Sequence, residues 1–166
     1  MPPRHTKPKS TRNILITAAD GQTGHLIAEL LLQDDDFSAK FKTLTLLASD
    51  PSKCEDLTSE FSKAAIVKYE PGQHAQLVMA MRDASVDTIL LIPPAQQDKA
   101  ERVKELVEAV REVGVRNTIL LSSAGCDLAE RDKQPNLRQF IDFEQLMMIN
   151  KGDTSTEAGH SPCIIR

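Results

Sequence analysis

The stretch TAADGQTGHL, Thr17–Leu26, decides the fold. Two glycines three apart, Gly21 and Gly24, separate an apolar run from a segment with helical spacing. Upstream lies NILITAA, Asn13–Ala19, β-branched and almost wholly apolar. Such a run predicts a strand buried on both faces. Downstream, TGHLIAELLLQ, Thr23–Gln33, sets Leu26, Ile27, Leu30 and Leu31 at helical spacing. In a parallel sheet, the turn between the first strand and first helix is a natural anion site. Backbone N–H groups at the helix start are unpaired there, and the helix dipole favours negative charge. Gly21 can take a positive φ and lets a pyrophosphate approach the backbone, and Gly24 lets the helix pack closely on the strand. Thr23 can donate a hydroxyl. The loop Ala18–Gly24, with Asp20 and Gln22 inside it, is the candidate phosphate cradle. A P-loop is disfavoured, because no Lys-Ser/Thr pair follows the turn.

The same alternation continues along the chain. Strands are expected at Thr43–Ser49, Ala64–Tyr69, Asp87–Pro94, Val115–Ser123 and His160–Arg166. Between them, DDDFSAK is expected to be a loop. A short helix is expected near Pro51 with Asp50 as its N-cap candidate, and another carries Leu77, Val78 and Met81 on one face. The clearest helix precedes the fifth strand. Val103, Leu106, Val107, Val110 and Val113 form one stripe, Lys104 and Glu108 stand four apart, and Gly114 is a natural C′ residue. A last helix spans Leu137–Met148. Pro93 and Pro94 end the fourth strand and shape the wall of any crevice there. Strand and helix in alternation, with continuous apolar strands, mean an α/β fold: a doubly wound parallel sheet. The expected strand order is Rossmann-like, 3-2-1-4-5-6; the alternative is 2-1-3-4-5, which would seat a flavin phosphate or a phosphorylated Asp20.

Composition narrows the class. The chain has 166 residues, 40% hydrophobic, with a formal charge of −4. That is enough for one domain, expected at residues 13–166, and it argues against nucleic acid as a partner. Arg4, Lys7, Lys9 and Arg12 cluster in a Pro-containing head, so residues 1–12 are expected to be a disordered basic tail. No apolar run approaches the roughly 18 residues of a membrane span. Cys54, Cys126 and Cys163 have no metal-ligand spacing and suit a reducing, cytoplasmic setting. No metal is expected.

Taken together, ILITAADGQTGHLIAELLL, SDPSKCEDL, VREVGVRNTILLSSAG and HSPCIIR resemble, in order and spacing, the NmrA-like and other atypical short-chain dehydrogenase/reductases. Their fingerprint is roughly T-G-A-x-G-x-x-G. The resemblance implies an NAD(P)-binding oxidoreductase fold, with NADP the commoner cofactor in the family. The first fingerprint glycine is replaced by Ala18, whose methyl crowds the turn if φ is positive. The Arg by which NADPH-using members end their second strand is replaced by Ser49. A 2′-phosphate would then rely on Lys53 or on backbone donors, whereas Asp50 accepting from a 2′-hydroxyl would favour NAD. The acidic residue beside the adenine corresponds to Glu70. Ile92, Pro93, Pro94, Ser122 and Ser123 fall on the nicotinamide side.

The family's catalytic Tyr-x-x-x-Lys is absent, and the one tyrosine, Tyr69, ends the third strand, so no catalytic residue is assigned. Two readings therefore stand: an oxidoreductase fragment, and a non-catalytic redox-sensing module that binds a dinucleotide and a protein partner. Family chains continue past the I-I-R strand into a small substrate lobe. The resemblance thus implies the cofactor half alone, truncated at the C-terminus. A thinly covered last strand invites a homodimer or other protein partner. Glu144 interrupts the apolar stripe Leu137, Phe140, Ile141, Met148 and is expected to be paired structurally. His25 and Cys126 are expected to be ordinary helix-face and loop residues.

Overall fold

The computed structural model describes residues 11–149 and 161–166. The proposed tail lies outside them except for its last two residues, as does His160. Arg12 is already tied in, its carbonyl accepting from the Lys42 amide at 2.7 Å.

Six parallel strands form one sheet: β1 (Asn13–Ile16), β2 (Thr43–Ala48), β3 (Ala64–Lys68), β4 (Thr88–Leu91), β5 (Asn117–Leu121) and β6 (Ser161–Ile165). Their order is β3-β2-β1-β4-β5-β6, as the pattern predicts. β1 is therefore central, paired to β2 through Asn13↔Thr43 and to β4 through Ile14↔Thr88. Among the described residues six helices connect them: α1 (Gln22–Gln33), α2 (Asp35–Ser38), α3 (Glu55–Glu60), α4 (His74–Asp83), α5 (Lys99–Val113) and α6 (Pro135–Met148). Successive strand residues alternate between two cores. Leu15, Leu47, Ile89, Leu91 and Leu120 pack with α4, α5 and α6. Ile16, Leu44, Leu46 and Ala48 pack with α1 and α3 on the other face. Continuous apolar strands follow from that double burial.

Three local expectations are corrected. The acidic segment is not wholly loop, because Asp34 accepts from the Phe37 amide at 3.0 Å and caps the single turn of α2. Asp50 does not cap the turn Pro51–Cys54 with its side chain; its carboxylate accepts from Ser52 Oγ at 2.6 Å instead. The buried face of α1 is also rotated from the expected leucine stripe. Gly24, Ala28 and Leu32 are buried, while Leu26 and Leu30 are each 56% exposed. Gly24 and Ala28 face the sheet near the start of α1 because the helix lies very close to it there. A Cβ built on Gly24 would stand 2.3 Å from the carbonyl oxygen of Ala18. By contrast, α5 buries its predicted stripe and closes on Gly114 at φ 77°.

Backbone crowding separates three substitutions. Gly24→Ala meets immovable main chain and is expected to destabilise by about 2–3 kcal/mol. Gly114→Ala has open space and only its positive φ to bear, so about 1 kcal/mol is expected. Ala18 itself sits at φ 49°, and Ala18→Gly is expected to be neutral or stabilising by up to about 1 kcal/mol. Urea unfolding checks the ranking, and an equal loss for the first two would refute the steric account.

Candidate functional site

The crevice opens where the order reverses, above the ends of β1, β2 and β4. Thr17 holds its β4 lip in place. It is 1% exposed, and its hydroxyl donates to the Ile92 carbonyl at 3.0 Å and accepts from the Ile92 amide at 2.8 Å. On the other side the Ala19 amide donates to Leu47 O at 3.1 Å, and the Asp50 amide donates to Asp20 Oδ2 at 2.9 Å. The turn between β1 and α1 is thus tied to both neighbouring strands. Ala18, not Gly21, carries the positive φ; Gly21 is extended at φ −89° and is the N-cap of α1. No side chain caps α1, and no acidic residue lies in its first turn. Gly21 lines the crevice at the helix start, and the leading N–H groups of α1 receive no side-chain cap, which leaves them open to an anion such as a diphosphate. Gly21 has only the Ala18 carbonyl oxygen within 4 Å of a built Cβ, at 3.3 Å.

A cavity of about 250 Å³ adjoins this turn. Of the expected residues, Ala18, Asp20, Gly21, Ser49, Lys53, Ile92 and Pro94 line it. Gln22, Thr23 and Gly24 belong to the first turn of α1 beside it. Asp50 and Pro93 do not form its wall, and neither does Glu70, which instead contacts Lys68 and Gln73 at the surface. The wall beneath β3 is Tyr69, 8% exposed, whose hydroxyl donates to Glu105 Oε2 at 2.6 Å. Burial, with the Glu105 carboxylate beside it, pushes the Tyr69 phenol well above its usual range, so it stays a donor. Arg102 completes the wall. Burial likewise raises the Cys54 thiol to about 11, with the Asp20 carboxylate adding to the shift.

Ser122 and Ser123 lie apart from this cavity, at the end of β5. There Glu144 is 7% exposed and fully engaged. Ser122 Oγ donates to its Oε1 at 2.6 Å, and Arg166 donates to both oxygens at 2.9 and 2.6 Å. Cys126 Sγ points at the same carboxylate from 3.6 Å. The expected structural pairing of Glu144 is what the geometry shows, and it absorbs the Ser122 hydroxyl. His25 meets Asp56 at 3.2 Å on the flank of α1. Among the described residues no group of three or more His, Cys, Asp or Glu could hold a metal, and no helix is long and apolar enough to cross a membrane. The roles of Thr17, Glu105 and Arg102 were missed from sequence. Only Arg102 left a trace there, as the partner of Asp98 four residues earlier.

A family profile described as NAD(P)H-binding matches residues 18–153. No curated protein matches the chain significantly. Among solved structures, an NADPH-dependent quinone oxidoreductase from Escherichia coli, complexed with NADPH, superposes with TM-score 0.69 at 22% identity. That match covers 83% of this chain and 45% of the other. Triphenylmethane reductase from Citrobacter sp. gives 0.73 at 18% identity, covering 93% and 48%. The Bordetella bronchiseptica enzyme WbmH, in complex with NAD+, gives 0.62 at 16%, covering 85% and 53%. At these identities the likeness speaks for the fold. The chain spans about half the length of these structures.

The Glu144 network carries a pH signature. Hydrogen bonds from Arg166, aided by Ser122, hold the carboxyl below its ordinary 4.5 against the opposing effect of burial. A depressed folded-state pKa contributes stability that is present above the unfolded value and lost as pH falls through the folded one. Glu144→Gln is therefore expected to flatten the loss of stability below about pH 4.5. Denaturant unfolding of both proteins between pH 3 and 7 measures this; parallel curves would count against the coupling.

Proposed function

The chain belongs to the NAD(P)H-binding family, and from that premise we propose that it is the cofactor-binding half of an NmrA-like, atypical short-chain reductase. The supporting observation is the uncapped start of α1, pressed against β1 at Gly24 and tied to β2 and β4 on either side. In this reading the Ala18–Gly24 turn holds the diphosphate. Ser49, Asp50 and Lys53 attend the adenosine ribose, and Glu70 lies at the rim. Ile92, Pro93, Pro94, Ser122 and Ser123 attend the nicotinamide side. The cofactor, NADP or NAD, would supply hydride transfer. The chain's own residues bind it, orient it and exclude water beneath it through Leu47, Tyr69 and Ile92.

A second reading has its own support. The Ser122 hydroxyl is spent on Glu144, and the Glu144 charge is met by Arg166. A carbonyl arriving at the end of β5 meets no unengaged acid in that network. This favours a cytoplasmic redox-sensing module that binds a dinucleotide and signals through a protein partner or a homodimer.

Calorimetric titration with NADPH, NADP, NADH and NAD is expected to give saturable binding by at least one of them. At 100-fold excess over Kd, that ligand should stabilise the fold by about 2.7 kcal/mol. No heat with any of the four at millimolar concentration would reject both readings. Oxidation of NADPH or NADH with a panel of carbonyls and quinones then separates them: turnover removes the sensor, and binding without turnover removes the reductase for this chain.

A further inference from the structure

We propose that Arg102, delivered from the first turns of α5, is the residue that selects a 2′-phosphorylated adenosine and so makes the site prefer NADP over NAD. The inference rests on the dinucleotide-binding reading and assigns its adenosine end.

The end of β2 carries no cation of its own, since the residue there is Ser49. The structure brings one from elsewhere. Arg102 Nη1 lies 3.3 Å from Ser49 Oγ, across the cavity mouth from its own helix. Its side chain is only 14% exposed, so the guanidinium is directed inward and not into solvent. Two contacts fix it. Asp98, four residues earlier, accepts from Nε at 2.8 Å, and the Tyr69 ring lies beneath the guanidinium carbon at 6.0 Å. An arginine has five N–H donors, and Asp98 and Ser49 take two of them. The remainder stay on the planar fork that suits a phosphate dianion.

A second cation stands near that spot. Lys53 lines the same cavity. The carboxylates nearby are Asp20, Asp50, Asp98 and Glu105, the last accepting from the Tyr69 hydroxyl at 2.6 Å. Asp20 is in the wall but already accepts from the Asp50 amide. Asp50 and Asp98 stand outside the wall, about half exposed. An NAD-selecting site of this fold instead aims a carboxylate at the ribose diol from the end of β2. Here the group spanning to that strand end is a guanidinium. The Arg102–Ser49 contact marks where one phosphate oxygen replaces the serine oxygen as acceptor, with the hydroxyl free to donate to another.

The test uses adenosine fragments, which isolate this end of the site. The wild-type chain is expected to bind 2′,5′-ADP at least about 10-fold more tightly than 5′-AMP, and NADPH more tightly than NADH by a similar factor. Arg102→Gln is expected to weaken 2′,5′-ADP and NADPH by roughly 10- to 100-fold, and 5′-AMP and NADH by less than about 3-fold. Thermal melts confirm that each variant is folded. If the glutamine variant is not, Arg102→Lys decides, since it keeps the charge and loses the fork. It is expected to lower 2′,5′-ADP affinity alone, by about 5-fold. Equal weakening of both fragments by either variant would make Arg102 a general adenosine contact and overturn the proposal. So would equal wild-type affinity for the two fragments, while leaving dinucleotide binding intact. A wild-type chain that binds no dinucleotide at all would remove the underlying reading as well.

Discussion

A side chain at position 24 would stand 2.3 Å from the main-chain oxygen of Ala18, and that steric limit governs the molecule. Because residue 24 is glycine, α1 can settle onto the end of β1 with Ala28 and Leu32 against the sheet. The start of α1, with its uncapped N–H donors, is thereby brought to the reversal point of the strand order. Moving the helix outward by the width of a methyl group would displace those donors from the crevice and loosen the core around Ile16 and Leu46. Fold and candidate site therefore share one contact.

The two ends of the crevice differ in electrostatic character. At the β2 side, cations from two separate elements, Lys53 and Arg102, line a cavity floored by Leu47, Tyr69 and Ile92. At the β5 side the polar groups have already found one another. Glu144, Ser122, Cys126 and Arg166 form a closed network that ties α6 to β5 and to the end of β6. A buried carboxylate needs such company, because an unpaired charge there would be costly. In the proposed reading the first end receives a ligand anion, while the second holds the last helix and strand together.

Much of this was legible in residue order. The β1 turn, the α5 stripe, the Gly114 terminus and the six-strand alternation all rest on local rules of periodicity and backbone freedom, and these do not depend on distant contacts. The cavity wall was legible only in part. Ala18, Asp20 and Gly21 were expected there from the glycine turn, and Ser49, Lys53, Ile92 and Pro94 from the family resemblance. Glu70 was expected beside them, but Lys68 and Gln73 hold it at the surface. Tyr69, one residue earlier, faces inward in its place, since neighbouring residues on an extended chain point to opposite sides.

The amino-acid order by itself determined that the chain makes a doubly wound parallel sheet with a glycine turn at its reversal point. Apolar spacing and glycine placement act within a few residues and need no knowledge of what lies across the core. Only the tertiary structure decided that Thr17 clasps Ile92 and that Gly24, Ala28 and Leu32, not Leu26 and Leu30, line the inner face of α1. It also decided that Arg102 reaches Ser49 from 53 positions away. Those contacts join elements remote in sequence. Their partners are set by how closely helices lie on the sheet, which no local pattern encodes.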